Sequence, residues 1–173
     1  MSEITALLEE GDLRSVGRVS EVIRLVANEP ELFPEVIQAM AHSDPGIRMR
    51  ASDAVEKISR TKPEYLQSHK EFILKLVSGS EQQEVRWHLA QIVPRLELSH
   101  KERSRVAEEL FTFLDDPSKI VQTNSLQALV DLAWEDDELF PRVRTAVETL
   151  AEEGSPAVSN RAGKLFLELD DQE

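Results

Sequence analysis

Apolar and small residues recur along this chain on a single helical template. Counted from Ile47 they fall at offsets 0, 4, 7, 8 and 11, as Ile47, Ala51, Ala54, Val55 and Ile58. The same offsets fit Val85, Leu89, Ile92, Val93 and Leu96, then Val121, Ser125, Ala128, Leu129 and Leu132, then Val158, Ala162, Leu165, Phe166 and Leu169. On a 3.6-residue helix these positions share one narrow arc, so each window marks the buried stripe of an amphipathic helix. The windows start roughly 36 to 38 residues apart, a period that holds two helices and a turn and signals a repeat array.

A second set of helices is predicted between the stripes, over about 31–42, 64–78, 100–115 and 138–153, with apolar faces such as Phe33, Val36, Ile37 and Met40 or Val106, Leu110, Phe111 and Leu114. Glu31-Leu32-Phe33-Pro34 recurs as Glu138-Leu139-Phe140-Pro141, and proline suits a first helical turn, where its missing donor has no intrahelical acceptor. Breakers at Asp44-Pro45-Gly46, Ser78-Gly79-Ser80, Asp116-Pro117-Ser118 and Gly154-Ser155-Pro156 end one helix and cap the next. The units run 31–60, 64–97, 100–135 and 138–169. Residues 1–28 make a fifth, atypical pair, with helices at about 2–10 and 12–28 and a best register of Ser15, Val19, Val22, Ile23 and Val26, as a terminal cap of an array should be. Periodicity over residues 1–173 thus favours one continuous array without a domain boundary.

The turn-and-helix segment Asp44-Pro45-Gly46-Ile47-Arg48-Met49-Arg50-Ala51-Ser52-Asp53-Ala54-Val55, echoed by Glu84-Val85-Arg86-Trp87-His88-Leu89-Ala90, resembles the HEAT-repeat (armadillo-like) family. The resemblance spans nearly the whole chain and implies an all-α, right-handed α-solenoid of about five HEAT-like helical hairpins, the second helix of each lining a concave face. It also implies a protein-binding scaffold, because such arrays mostly hold other proteins. The period is slightly short for the family, and Gln122 and Ser159 replace the arginine after the inner valine in the last two units. The Trp…Leu-Gly…Tyr pattern of tetratricopeptide repeats is absent.

Charge and composition narrow the function. Twenty Lys plus Arg against 33 Asp plus Glu leave a net charge of −13, which repels phosphate backbones and anionic lipids and makes nucleic acid an unfavoured partner. The chain has no cysteine, which excludes disulfides and thiolate chemistry and suits a reducing, cytoplasmic setting. Its first residues are acidic, with no signal-like apolar core, and no stretch is long enough to span a bilayer. His42, His69, His88 and His100 are scattered, without the His-Glu pairs that metal-dependent HEAT-type hydroxylases use, so no metal and no cofactor is expected. Phosphate-binding and nucleophile-elbow motifs are missing as well. The enzymatic relatives to weigh are HEAT-like alkylpurine DNA glycosylases, for which Trp87, Trp134 and Asp131 are the available parts, and bilin lyase subunits, for which no residue specifies a tetrapyrrole. The expectation is a non-enzymatic scaffold; nucleic-acid or damaged-base binding is the alternative, and a structural subunit contacting others through its end units is a third.

Equivalent positions of successive inner helices become stripes along a solenoid. Offset 3 holds Arg18, Arg50, His88, Asn124 and Arg161, and offset 10 adds Lys57 and Arg95 before turning acidic at Asp131 and Glu168. Two readings stand: a ladder in which these cations pair with acids of the adjacent unit, such as Asp53 or Glu84, or a basic groove for an acidic peptide. Offset 2 points away from the buried stripe and holds Met49 and Trp87. The candidate partner-binding residues are therefore Met49, Trp87 and His88, with steering charge from Arg18, Arg50, Arg86, Arg95 and Arg161. Trp87 alternatively fills a gap between units. Trp134 reads as the seal of an inter-helix corner before the acidic run 135–138, and Asp170-Asp171-Gln172-Glu173 as a frayed tail.

Overall fold

The computed structural model of the chain describes residues 2–12 and 14–171; Met1, Leu13 within the predicted 12–28 helix, and Gln172-Glu173 of the acidic tail lie outside the described residues. Among the described residues all regular structure is helical. Ten α-helices follow in order: α1 (Glu3–Glu9), α2 (Val19–Asn28), α3 (Phe33–Ala39), α4 (Pro45–Ser59), α5 (Lys70–Gly79), α6 (Gln83–Ile92), α7 (His100–Phe113), α8 (Lys119–Ala133), α9 (Phe140–Glu153) and α10 (Pro156–Asp170). By packing, the chain divides into two compact units, Met1–Glu97 and Leu98–Glu173. The division follows Pro94, whose ring and missing donor end α6 and leave a 3-10 turn at Val93–Arg95, after which residues 97–99 run without regular structure.

The repeating template is the core of each unit. Ile47, Ala51, Ala54, Val55 and Ile58 are all buried on α4, as are Val85, Leu89 and Ile92 on α6, Val121, Ser125, Ala128, Leu129 and Leu132 on α8, and Val158, Ala162, Leu165 and Leu169 on α10. Phe166 is the exception: it is half-buried, with the Arg144 guanidinium 5.6 Å from its ring centre. Full burial of such aliphatic side chains contributes about 1.5–3 kcal/mol each. In the first unit α4 is central, packed against α1, α2, α3 and α6; in the second α8 packs against α7, α9 and α10.

Two of the breakers act as predicted: the Asp44 carboxylate accepts from the Ile47 amide at 2.9 Å, and Ser118 Oγ accepts from Val121. At α7 a further cap, Ser99 with Glu102, forms a capping box. Pro34 and Pro141 sit in the first turns of α3 and α9. Two predicted helices differ. The 64–78 segment begins as a 3-10 helix, Pro63–His69, and becomes α-helical only from Lys70; the Gln67 amide holds the 3-10 stretch by donating to the carbonyls of Pro63 and Arg95 and accepting from the Glu97 amide. The predicted 12–28 helix starts at Val19, because Gly11 and Gly17 adopt positive φ (118° and 51°) and fold the preceding residues into a loop.

Between α4 and the end of α6 lies a buried ionic cluster. Glu56 is 2% exposed and accepts from Arg60 on its own helix (2.8 and 2.7 Å) and from Arg95 (2.8 Å), which also donates to the Glu56 carbonyl and Ser59 Oγ. Burial pushes the Glu56 carboxyl up, but the bonds from the two guanidinium groups outweigh it and hold its pKa below the usual value. A folded pKa below the unfolded one gives stability that is complete above the unfolded pKa and disappears as pH falls through the folded one. Glu56→Gln leaves two guanidinium groups short of a counter-charge, one of them partly buried. It is expected to lower unfolding stability of the first unit by about 3 kcal/mol at pH 7, with the difference from wild type closing as the solution is acidified below the ordinary glutamate range. Urea titrations at several pH values, read by Trp87 fluorescence in a Trp134→Phe background, check both.

Candidate functional site

The first unit carries a cavity of about 370 Å³ built from two helices and a loop. Met49, Arg50 and Asp53 share a flank of α4, at spacings of one and four residues. Glu84, Trp87 and His88 share a face of α6, at three and four. Ser15 and Val16, with Arg14, close it from the loop, and Val16 is 56% exposed. The Trp87 and His88 rings stand edge to face with centres 5.6 Å apart. His88 Nε2 lies 3.9 Å from Asp53 Oδ1, and its Nδ1 shares a hydrogen bond with Gln91 Oε1 at 3.2 Å. Burial pushes the His88 pKa down more strongly than Asp53 raises it, so the ring is neutral at pH 7 and Lys57, 2.7 Å from Asp53 Oδ2, is the cation that balances this carboxylate.

Arg50 forms the floor and does not face solvent. It is 2% exposed: Nε donates to the Leu8 carbonyl at 2.6 Å, Nη1 to Asp12 at 3.0 Å and Nη2 to Glu9 at 3.4 Å. These acceptors lie at and beyond the C-terminus of α1, where carbonyls lack intrahelical donors and a cation is favoured by the helix dipole. Met49 is likewise buried, at 8% exposure. The expectation that Met49 at offset 2 is exposed is corrected by its burial, and at offset 3 the loop after α1 holds Arg50 inside the unit.

The other predicted cations are engaged within the fold. Arg18 donates to Glu10 and Glu21 (2.7 and 2.6–2.7 Å), and these bonds raise its pKa further above the usual value. Arg86 donates to the Ser80 carbonyl at 2.8 Å, Arg95 belongs to the Glu56 cluster, and Arg161 in the second unit donates to Gln127 Oε1. The structure therefore brings Met49, Arg50, Trp87 and His88 to one cavity and places Arg18, Arg86, Arg95 and Arg161 at separate structural bonds. His88 beside Asp53 and Arg161 on Gln127 are both contacts from offset 3 of one inner helix to offset 6 of the inner helix before it. Val16 and Arg14 were missed as wall residues; the signal in the sequence was the pair Gly11 and Gly17 bracketing a polar loop.

In the second unit Trp134 is 39% exposed and packs on Phe140 with centres 5.6 Å apart, at the corner between α8 and α9. His100 lies 3.2 Å from Asp136 and 3.6 Å from Glu138, while Asp136, itself 6% exposed, accepts from the Glu138 and Leu139 amides. That carboxylate shapes the entry to α9. Among the described residues no group of three or more His, Asp or Glu side chains is arranged to hold a metal ion, and no helix is long and apolar enough to cross a membrane.

No protein-family model matches the chain, and no curated protein is similar to it in sequence. Among solved structures, the crystal structure of an engineered protein is similar in fold, with a TM-score of 0.66 at 14% identity over 97% of this chain and 78% of that one.

Removing the Arg50 side chain exposes the cavity floor and strands the three carbonyls that it satisfies. Arg50→Ala is expected to cost about 3 kcal/mol of first-unit stability, measured by urea unfolding, and to raise amide hydrogen exchange in α1 more than in α6.

Proposed function

We propose that this chain is a non-enzymatic protein-binding scaffold of the HEAT-like type, a cytoplasmic right-handed α-solenoid that docks another protein or peptide on its concave face at the Trp87 cavity. The observation that carries the reading is the wall formed by Trp87, Met49 and the exposed Val16, an apolar recess with polar groups at its edge of the kind that receives an anchoring side chain. Steering by the arginine stripe drops out of the proposal, since Arg18, Arg50, Arg86, Arg95 and Arg161 all have internal acceptors. The same fact weakens the nucleic-acid and glycosylase alternatives, which need several free cations on one face.

Trp87 is half-buried and contributes to the wall rather than the core stripe, so Trp87→Ala is expected to abolish partner retention while shifting the thermal midpoint by less than about 4 °C. Affinity capture from nuclease-treated native lysate with quantitative mass spectrometry reads the first, and calorimetry the second. Equal retention by wild type and variant refutes docking at this cavity, and retention that disappears with nuclease transfers the function to nucleic acid.

A further inference from the structure

On two inner helices, α4 and α8, one face is covered by the following inner helix, whereas α2, packed against α4, leaves Gly17, Ser20 and Arg24 at the same offsets exposed. On α4, offsets 2, 5, 6 and 9 are Met49, Ser52, Asp53 and Glu56, all buried and 0–8% exposed, and α6 lies against this helix with His88 and Arg95 reaching Asp53 and Glu56. On α8 the same offsets are Thr123, Leu126, Gln127 and Val130; Leu126 and Val130 are fully buried, and α10 lies against this helix with Arg161 on Gln127. On α10 they are Asn160, Gly163, Lys164 and Leu167. Asn160 and Lys164 are exposed, Leu167 is 63% exposed, and a Cβ added at Gly163 would meet nothing within 4 Å. This face has the positions of a covered surface and no cover among the described residues.

We propose that a second copy of this chain covers it, with the two α10 helices antiparallel across a two-fold axis that passes between residues 163–164 and 167. The face complements itself under that operation. At 100° per residue, Gly163 and Leu167 lie on one side of its midline and Lys164 and Glu168 on the other. An antiparallel two-fold brings like sides together, so Leu167 of each copy drops over the open Gly163 of the other, while Lys164 of each comes beside Glu168 of the other. Neither Lys164 nor Glu168 has an ion-pair partner among the described residues. In the α8–α10 pair, offset 6 is an acceptor, Gln127, that receives the Arg161 donor of the follower; here it is Lys164, which calls for a carboxylate, and Glu168 supplies one. Each copy carries a net charge of −13, so association strengthens as salt screens the long-range repulsion. A contact of this size belongs at the weak end of specific interfaces.

Sedimentation equilibrium of the full chain, loaded up to about 1 mM at an ionic strength of about 0.5 M, tests it. The expected result is a reversible monomer–dimer equilibrium. Leu167→Asp and Gly163→Leu should each abolish it with unchanged helical circular dichroism, since neither side chain meets the core. Lys164→Glu and Glu168→Lys should each weaken it about tenfold, and the charge-swapped double variant should recover the wild-type constant. Trp87→Ala should dimerise like wild type, which separates this inference from the docking proposal. A monomer at every concentration, a dimer indifferent to residues 163 and 167, or a double variant no tighter than its parents overturns it.

Discussion

Arg50 is the constraint around which the first unit is arranged. A guanidinium with 2% exposure is tolerated only where its donors are met. Here they are met by the end of α1 and the loop beyond it, through the carbonyls of Leu8, Glu9 and Asp12. Its space requirement then dictates nearby residues. A Cβ at Gly46 would stand 2.7 Å from Arg50 Nη2, and one at Gly17 would stand 2.0 Å from the Glu10 carbonyl oxygen and 3.1 Å from Arg50 Cδ, at a φ of +51° that disfavours side chains in any case. The nearby Asp44 carboxylate, held ionised chiefly by the Ile47 amide, both caps α4 and supplies negative charge close to the cation. One side chain thus ties down the return of the loop and forms the floor of the cavity.

Beyond that point the helices of each unit are held together by two kinds of contact with different tolerances. The template stripe is apolar, so what matters there is volume and burial, and the residues vary freely among Ile, Val, Leu and Ala. The face between successive inner helices is more varied. It is polar between α4 and the end of α6, with Glu56 paired to Arg95 and neutral His88 beside Asp53, and mostly apolar between α8 and α10, through Leu126 and Val130 with Gln127 at the edge. Charges on such a face must find partners of the right sign and reach, which specifies the neighbouring helix rather than any apolar surface of similar size.

This contrast explains what was legible in the sequence. The stripe obeys one helical period, so Ile47 to Ile58 and Val158 to Leu169 could be placed in the core, and the breakers Asp44-Pro45-Gly46 and Asp116-Pro117-Ser118 located the turns. The orientation of Arg50 and Met49 could not be read in the same way. A helical wheel gives directions relative to its own axis, and the segment that holds Arg50 lies about 40 positions earlier, as its bonds to Leu8 and Glu9 show. Trp87 and Met49 were chosen as neighbours because they share an offset, and the structure does place both on one cavity wall. Val16 escaped notice because a loop residue has no periodicity to betray it. The 3-10 turn at Val93–Arg95 follows from Pro94, whose effect on the last turn of α6 was hidden by a template that continued through Val93 and Leu96 as if the helix did.

The electrostatic consequence runs opposite to the charge pattern as written. A stripe containing Arg18, Arg50, Arg95 and Arg161 looks like a positive surface, yet each of these groups spends its donors on carboxylates, an amide oxygen or backbone carbonyls inside its own unit. The cations of the stripe are thus answered within the fold, on a chain with a net charge of −13. Long-range attraction by such a surface favours cationic partners and opposes like-charged ones. Specific association must then come from short-range complementarity at places where apolar groups are exposed, and the two units offer different ones: Val16 beside Trp87 in the first, Leu167 beside an open Gly163 in the second.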